Sequence, residues 1–242
     1  MNNKQFYIGL MSGTSADGID LALVDFSLNT PKLVTSYYQA YDDKTHQAIT
    51  QLYQSSDNEI ERAFKLDIML AQQFSQAINN LLSDTKISAS DICAIGNHGQ
   101  TIRHRPNSTQ QVNNFPFTLQ IGCSQTLACL TNIRVIGQFR KKDIALGGQG
   151  APLVPAFHQA LFNNCQQDVV VVNIGGIANI TYLPIEPDKN IIGFDSTNLG
   201  SLENQNINQG NLSLVQDVLD SIVPIDKNDK KPKELGVILA VD

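Results

Sequence analysis

The 242-residue sequence has no apolar run long enough to cross a bilayer. Stretches such as 169–172 fall far short of the ~20 residues that a spanning helix needs. It has no excess of basic residues. Lys and Arg total 17 against 23 Asp and Glu, a net charge of −6. That balance argues against a nucleic-acid backbone as the main partner, because phosphate binding needs a basic footprint. The four cysteines, Cys93, Cys123, Cys129 and Cys165, form no CxxC pair, and no histidine stands at finger-like spacing, which argues against a structural zinc site. They read as free thiols rather than a disulfide framework. The N-terminal apolar stretch is too short for a signal-peptide core, and no small-residue cleavage site follows it. Apolar residues at 42% and charged residues at 17% argue against general disorder. Together these features lead to the expectation of a cytoplasmic globular protein, and at about 150 residues per domain the length fits one large domain or two small ones.

What is present is an α/β pattern. Residues 6–10, 19–26 and 33–40 predict three strands joined by short turns, an antiparallel start. Residues 59–83 carry one apolar stripe at steps of three and four, from Ile60, Ala63 and Phe64 to Leu81 and Leu82, and predict the clearest helix. Residues 92–96 predict a short buried strand ending at Asn97, His98, Gly99 and Gln100, at the strand edge where α/β proteins tend to place function. Strands are expected at 117–121 and 134–139 with a helix at 124–131 between them. A glycine loop follows at 146–150, then a helix at 154–162. The strongest strand is 168–174, turning at Gly175 and Gly176 into 178–182, with a short apolar stretch at 191–194. Beyond 195 the chain is amide-rich. A helix at 212–222, a charged linker at 226–234 and a strand-like run at 236–241 are expected there. A strand, glycine turn, strand pattern at 6–26 recurs at 168–182, a weak internal echo.

Four segments carry candidate chemistry. In the first, Met11 to Asp20, Gly13 and Gly18 permit tight turning and present backbone N–H groups to an anion, Ser12, Thr14 and Ser15 add hydroxyls, and Asp17 and Asp20 suit Mg²⁺. A polar hairpin turn is the equal alternative, and the GxxxxGK[ST] spacing of a P-loop is absent. The second, Asn173 to Thr181 around Gly175 and Gly176, reads as a hairpin or as a second phosphate cradle. The third, Asn97 to Pro106, gathers His98, Gln100, Arg103, His104 and Arg105, a density suited to a carboxylate or polar sugar, with a solvated basic loop as the alternative. In the fourth, Asp143 follows Arg140, Lys141 and Lys142 and precedes a glycine loop containing Gln149. There it can act as a general base or merely as a surface ion-pair partner.

Taken together, IGLMSGTSADGID, AIGNHGQTIRHRP, TLQIG, FRKKDIALGGQGAPLVPAFH, NIGGIANIT and GFD, in that order over residues 6–195, resemble the anhydro-N-acetylmuramic acid kinase family, a branch of the sugar kinase, heat-shock and actin ATPase superfold. The resemblance implies an actin-like, ribonuclease H-like α/β fold with mixed sheets flanked by helices. It implies a first lobe at 1–165 and a second at 166–242, incomplete and divergent from about 196. It implies ATP and Mg²⁺, opening of the 1,6-anhydro ring by water, and phosphorylation of O6 during cell-wall recycling. Carried onto this sequence, it makes Asp143 the catalytic base. Gly13, Thr14, Ser15, Ala16, Asp17, Gly18, Ile19 and Asp20 become the first phosphate motif, with Gly175 and Gly176 in the second. Asp17 and Asp20 become the metal ligands, and His98, Gln100, Arg103 and Gln149 become sugar contacts. A homodimer is implied as well.

The sequence departs from the family pattern in places. Gln138 replaces an aspartate before Phe139 and Arg140. Thr131-Asn132-Ile133 replaces Thr-Gly-Ile, and Ser196-Thr197-Asn198-Leu199-Gly200 replaces a Gly/Pro-defined path. These departures sustain a second reading, a relative that binds a muramyl sugar or a protein partner without turnover. A third, an actin-like polymer subunit, has only the superfold behind it.

Overall fold

A computed structural model describes residues 5–27, 30–107, 115–162, 167–174, 178–186, 189–196 and 235–241. The chain divides into two compact units, Met1–Gly150 and Ala151–Asp242.

The first unit is built on a mixed sheet. Strands β1 (Phe6–Ser12), β2 (Gly18–Asp25) and β3 (Lys32–Ala40) form the expected antiparallel start. Phe6, Ile8, Leu10 and Ser12 alternate inward along β1, and Ile19, Leu21 and Leu23 do so along β2, the period-2 pattern of a strand with one buried face. Helix α1 (Asp43–Thr50) was not anticipated. Its signal is Asp42, whose carboxylate accepts the Thr45 N–H at 2.8 Å as an N-cap, but the helix is only 8 residues long and buries only Thr45 and Ile49. Helix α2 (Glu59–Thr85) packs the expected stripe from Leu66 through Phe74 to Leu82. Its first turns differ: Ile60 and Phe64 are 78% and 70% exposed, because the buried face begins only at Leu66.

Strand β4 (Ile92–Arg105) runs parallel to β1, with Ile8 opposite Ile95 and Ser12 opposite Gln100. It does not stop at residue 96. From Gln100 to Arg105 it continues as an antiparallel partner of β5 (Phe117–Ile121), so the HGQTIRHR segment is a strand and not a loop. Helix α3 (Ser124–Thr131) follows, then β6 (Val135–Gly137), parallel to β4. β6 is shorter than the expected 134–139, since Gln138 takes a left-handed backbone, φ 60°, and turns the chain into α4 (Phe139–Ala145). The sheet order is β3-β2-β1-β4-β5, with β6 also on β4. The core lies between this sheet and α2, around Ile8, Leu23, Leu70, Phe74, Ile78 and Ile95.

In the second unit, α5 (Pro155–Phe162) precedes β7 (Asp168–Ile174), β8 (Ala178–Leu183), β9 (Ile192–Ser196) and β10 (Leu235–Val241). The order is β10-β7-β8-β9, antiparallel except for β10, which runs parallel to β7. Val169 to Val172 are all buried, as an apolar run demands. The buried Asp168 accepts the Tyr182 hydroxyl at 2.9 Å and the Ile185 N–H at 2.9 Å. The expected helix at 212–222 and linker at 226–234 lie outside the described residues.

The fold is therefore α/β with mixed sheets flanked by helices, and the order 3-2-1-4 of the first four strands fits the actin-like superfold. Among the described residues no helix is long and apolar enough to cross a membrane.

Candidate functional site

The first cluster forms where β1 passes into β2. Five residues, 13–17, make the turn. Ala16 is left-handed, φ 54°, and fully buried. Position 18 requires glycine: a Cβ there would stand 2.5 Å from the Tyr38 ring and 2.6 Å from the Gln39 carbonyl oxygen. The carbonyls of the turn are taken up by the surrounding framework. Gln100 Nε2 donates to Gly13 O at 2.9 Å, Tyr53 Oη to Thr14 O at 2.7 Å, His46 Nδ1 to Ala16 O at 2.9 Å, and Tyr38 Oη and the Tyr41 N–H to Asp17 O at 3.2 and 2.8 Å. In a trans peptide the following N–H points away from the carbonyl. Engaging Gly13 O and Thr14 O therefore turns the Thr14 and Ser15 N–H groups outward on an exposed turn, the donor arrangement that an anion needs.

Asp17 and Asp20 are exposed beside this turn, and Asp17 Oδ1 accepts Ser15 Oγ at 2.8 Å. Both carboxylates add to burial in raising the Tyr38 and Tyr41 pKa values, so their charges converge on one pair of hydroxyls. Mg²⁺ takes one or two carboxylates and completes its shell with water and phosphate, and this pair fits that requirement.

The second cluster surrounds Asp143 in the last turn of α4. Its Oδ2 accepts the Gly150 N–H at 2.6 Å, and its carbonyl accepts the Gly148 N–H at 2.9 Å. Position 148 has no room for a Cβ, which would collide with the Asp143 carboxylate. Among the described residues nothing donates to Oδ1, so a lone-pair face remains for a water or hydroxyl. Arg140 Nη1 donates to Gly150 O at 2.7 Å and its Nε to His98 Nε2 at 2.9 Å. His98 Nδ1 donates to Gly99 O at 2.8 Å. The imidazole is therefore neutral with its proton on Nδ1. Burial, then the Arg140 charge, pulls its pKa below the usual histidine value, against the Gly99 bond. His104 bonds Thr118 Oγ1 at 2.9 Å and the Gln149 backbone, and burial lowers its pKa as well.

A cavity of about 350 Å³ opens beside this cluster, lined by Asp67, Asn97, His98, Ser124, Gln138 and Lys141 among others. The buried Asn97 Oδ1 has no partner there among the described residues, while its Nδ2 donates to Gly122 O at 2.8 Å. Asp67 is half-buried, and burial raises its pKa against the Gly122 N–H and Lys141.

The structure thus brings Asp143, His98 and Gln149 to one cluster, and residues 13–20 with Gln100 to the other. Gln100 and Arg103, also expected as sugar contacts, are both engaged within the protein. Gln100 is fully buried, its Oε1 accepting Ser12 Oγ at 2.5 Å and its Nε2 held by Gly13, so it belongs to the frame of the turn. Arg103 Nε donates to Leu52 O and Tyr53 O, and its Nη2 lies 2.8 Å from Glu59 Oε1 as an ion pair. Gly175 and Gly176 lie outside the described residues. Sequence reasoning missed Tyr53, Tyr38 and His46, whose role depends on long-range packing and leaves no local motif.

Comparison with known proteins settles the lineage. The sequence model of anhydro-N-acetylmuramic acid kinase matches residues 5–211. The chain belongs to that family. An anhydro-N-acetylmuramic acid kinase of Colwellia psychrerythraea is 61% identical over 204 residues, covering 81% of this chain and 50% of that protein. One of Shewanella frigidimarina is 48% identical over 213 residues, covering 86% and 56%. The chain spans about half the length of the curated relatives it matches. Solved structures similar to it include a reductive activator for a corrinoid, iron-sulfur protein, with TM-score 0.44 and 12% identity, covering 81% of this chain and 31% of that one. Another is a Ppx/GppA phosphatase of Aquifex aeolicus, with TM-score 0.43 and 10% identity, covering 97% and 67%.

Proposed function

We propose that the chain carries out, or contributes the reacting half of, an ATP-dependent conversion of anhydro-N-acetylmuramic acid to N-acetylmuramic acid 6-phosphate. The observation that carries this reading is Asp143: one carboxylate oxygen is fixed by Gly150 at 2.6 Å, and among the described residues the other is left as an acceptor. As general base, Asp143 takes a proton from the water that attacks the anomeric carbon. The bond from that carbon to O6 breaks, O6 attacks the γ-phosphorus of ATP, and ADP leaves. The outward N–H groups of Thr14 and Ser15 hold phosphate oxygens, and Gly175 and Gly176 are proposed as the second phosphate loop. Asp17 and Asp20 would hold Mg²⁺, which supplies charge neutralisation on the transferring group.

The sugar takes the cavity beside Asn97 and Lys141, since its lining residues Gln138 and Lys141 belong to the β6–α4 segment that bears Asp143. His98 holds Arg140, and Arg140 holds Gly150, so the pair shapes the base's surroundings. The exposed Gln149 side chain is a further candidate sugar contact. We further propose a cytoplasmic homodimer that acts on a small sugar, not on nucleic acid and not at a membrane. The test is incubation with anhydro-N-acetylmuramic acid, ATP and Mg²⁺, followed by phosphorus NMR. A 6-phosphate is expected from the parent chain, with turnover abolished by Asp143→Asn. Gln138, in place of the family's aspartate, favours one other reading, sugar binding without turnover. Binding unaltered by Asp143→Asn and no product would decide for it.

A further inference from the structure

Arg103 and Tyr53 have donors aimed at neither the cavity nor Asp143. Arg103 lies on β4, beyond the residues that pair with β1. Its Nε donates to Leu52 O at 3.1 Å and to Tyr53 O at 3.3 Å, and its Nη2 meets Glu59 Oε1 at 2.8 Å. Both side chains of this ion pair are mostly shielded, at 15% and 28% exposure, so the contact is less screened than a surface pair. One guanidinium therefore grips the connection between α1 and α2 at both ends: the carbonyls that close α1's extension and the first residue of α2. Arg suits this because its planar fork serves several acceptors at fixed angles, which Lys cannot do.

Tyr53 is the residue so held. Its hydroxyl donates to Thr14 O at 2.7 Å and accepts Gln100 Nε2 at 3.3 Å. Leu52, next to it, is fully buried and anchors the connection in the core. The chain of contacts thus runs from Glu59 and Arg103 through the Tyr53 backbone to its ring, and from the hydroxyl to the peptide joining Thr14 and Ser15. That peptide's oxygen is fixed inward, so its N–H, on Ser15, is fixed outward.

We propose that Tyr53 and Arg103 are positioning residues for the phosphate-binding turn, and that Arg103 acts on the nucleotide through Tyr53 and not on the sugar. The inference rests on the kinase reading, since it concerns the nucleotide that the reading supplies. Losing one such hydrogen bond changes affinity by about three- to tenfold.

The test is isothermal titration of the whole chain with Mg·ATP and, separately, with anhydro-N-acetylmuramic acid, for the parent, Tyr53→Phe and Arg103→Lys. Tyr53→Phe keeps the ring and removes only the hydroxyl, so the fold is retained; thermal melting checks this. The expected result is a dissociation constant for Mg·ATP raised about three- to tenfold in both variants, with the sugar constant unchanged. An unchanged nucleotide constant in Tyr53→Phe overturns the inference, as does equal weakening of both ligands, the mark of a merely structural role. Loss of sugar binding alone in Arg103→Lys also overturns it and makes Arg103 a sugar contact. If the parent itself binds no Mg·ATP, the kinase reading fails and this inference falls with it.

Discussion

The two units repeat one strand order and use it differently. In the first, β3-β2-β1-β4 places a parallel strand beside an antiparallel trio; in the second, β9-β8-β7-β10 does the same. The strand pairs of the echo between 6–26 and 168–182 recur here as β1–β2 and β7–β8, while the second glycine turn lies outside the described residues. The difference lies in what is attached. The first unit adds α1, the 27-residue α2, the connection between them and the β4–β5 extension, and these supply His46, Tyr53 and Gln100 to its first turn and Arg103 to the α1–α2 connection. The described part of the second adds α5, whose His158 meets Thr181 on β8 at 3.0 Å. A shared sheet order is thus a scaffold, and the site comes from the segments laid against it.

The comparison breaks most sharply at glycines. Gly122 is left-handed, φ 106°, and a Cβ there would run into the Phe74 ring, at the centre of the first core. Its N–H also donates to Asp67 Oδ1 at 2.7 Å. Gly122→Ala combines overpacking with backbone strain, and a loss of about 3 kcal/mol is expected in urea unfolding. Gly193 in the second unit has an ordinary φ, and its Cβ would meet Pro155 Cγ at 2.5 Å. Gly193→Ala is expected to cost about 1–2 kcal/mol, through packing alone. Equal losses would mean that the two cores are equally tight.

Next in size is Tyr182→Phe. It strips one donor from the buried Asp168 and leaves Ile185 N–H as the other partner. A cost of about 2 kcal/mol is expected for the orphaned carboxylate oxygen. Burial and the neighbouring Asp168 push the Tyr182 pKa up to about 12. The unfolded phenol ionises near 10, so this residue's stabilisation is complete below about pH 10 and lost as pH rises from there through about 12. A flat alkaline stability curve for the parent would contradict it. Gly147 supplies the milder case. Its φ is 92° with nothing within 4 Å of a Cβ, so Gly147→Ala meets only backbone strain, about 1 kcal/mol, read by thermal melting.

Much of this was legible because the signals are local. A short strand-like run marked β1, alternation of Ile19, Leu21 and Leu23 marked β2, a 3–4 stripe marked α2, and motif strings marked the two clusters. Three features resisted for physical reasons. The length of β4 depends on pairing with β5, a contact across 12 to 21 residues in sequence. The roles of Gln100 and Arg103 looked like ligand contacts because polar residues were dense there. Their partners within the protein depend on burial, and burial is a property of the packed chain. The frame residues Tyr53, Tyr38 and His46 sit 39, 21 and 30 positions from the carbonyls they hold, with no spacing rule to announce them.

The smallest effect compares one histidine from each unit. His98 and His158 both have pKa values lowered by burial, and His98 alone has the Arg140 charge pressing in the same direction. A histidine with a depressed folded-state pKa stays neutral in the native protein while the unfolded chain takes a proton. Its stabilisation is therefore full above about pH 6.5 and is lost as pH falls toward the folded pKa. For His98 the loss is also structural, because a proton on Nε2 removes the acceptor that Arg140 Nε uses. In His158 the described partner is a hydroxyl, Thr181 Oγ1, which can donate or accept and so tolerates either state of Nδ1. His98→Asn should then flatten the acid side of the stability curve between pH 7 and 5 more than His158→Asn does. Parallel urea titrations at the two pH values measure it, and a larger flattening from His158→Asn would show that burial outweighs the Arg140 contact.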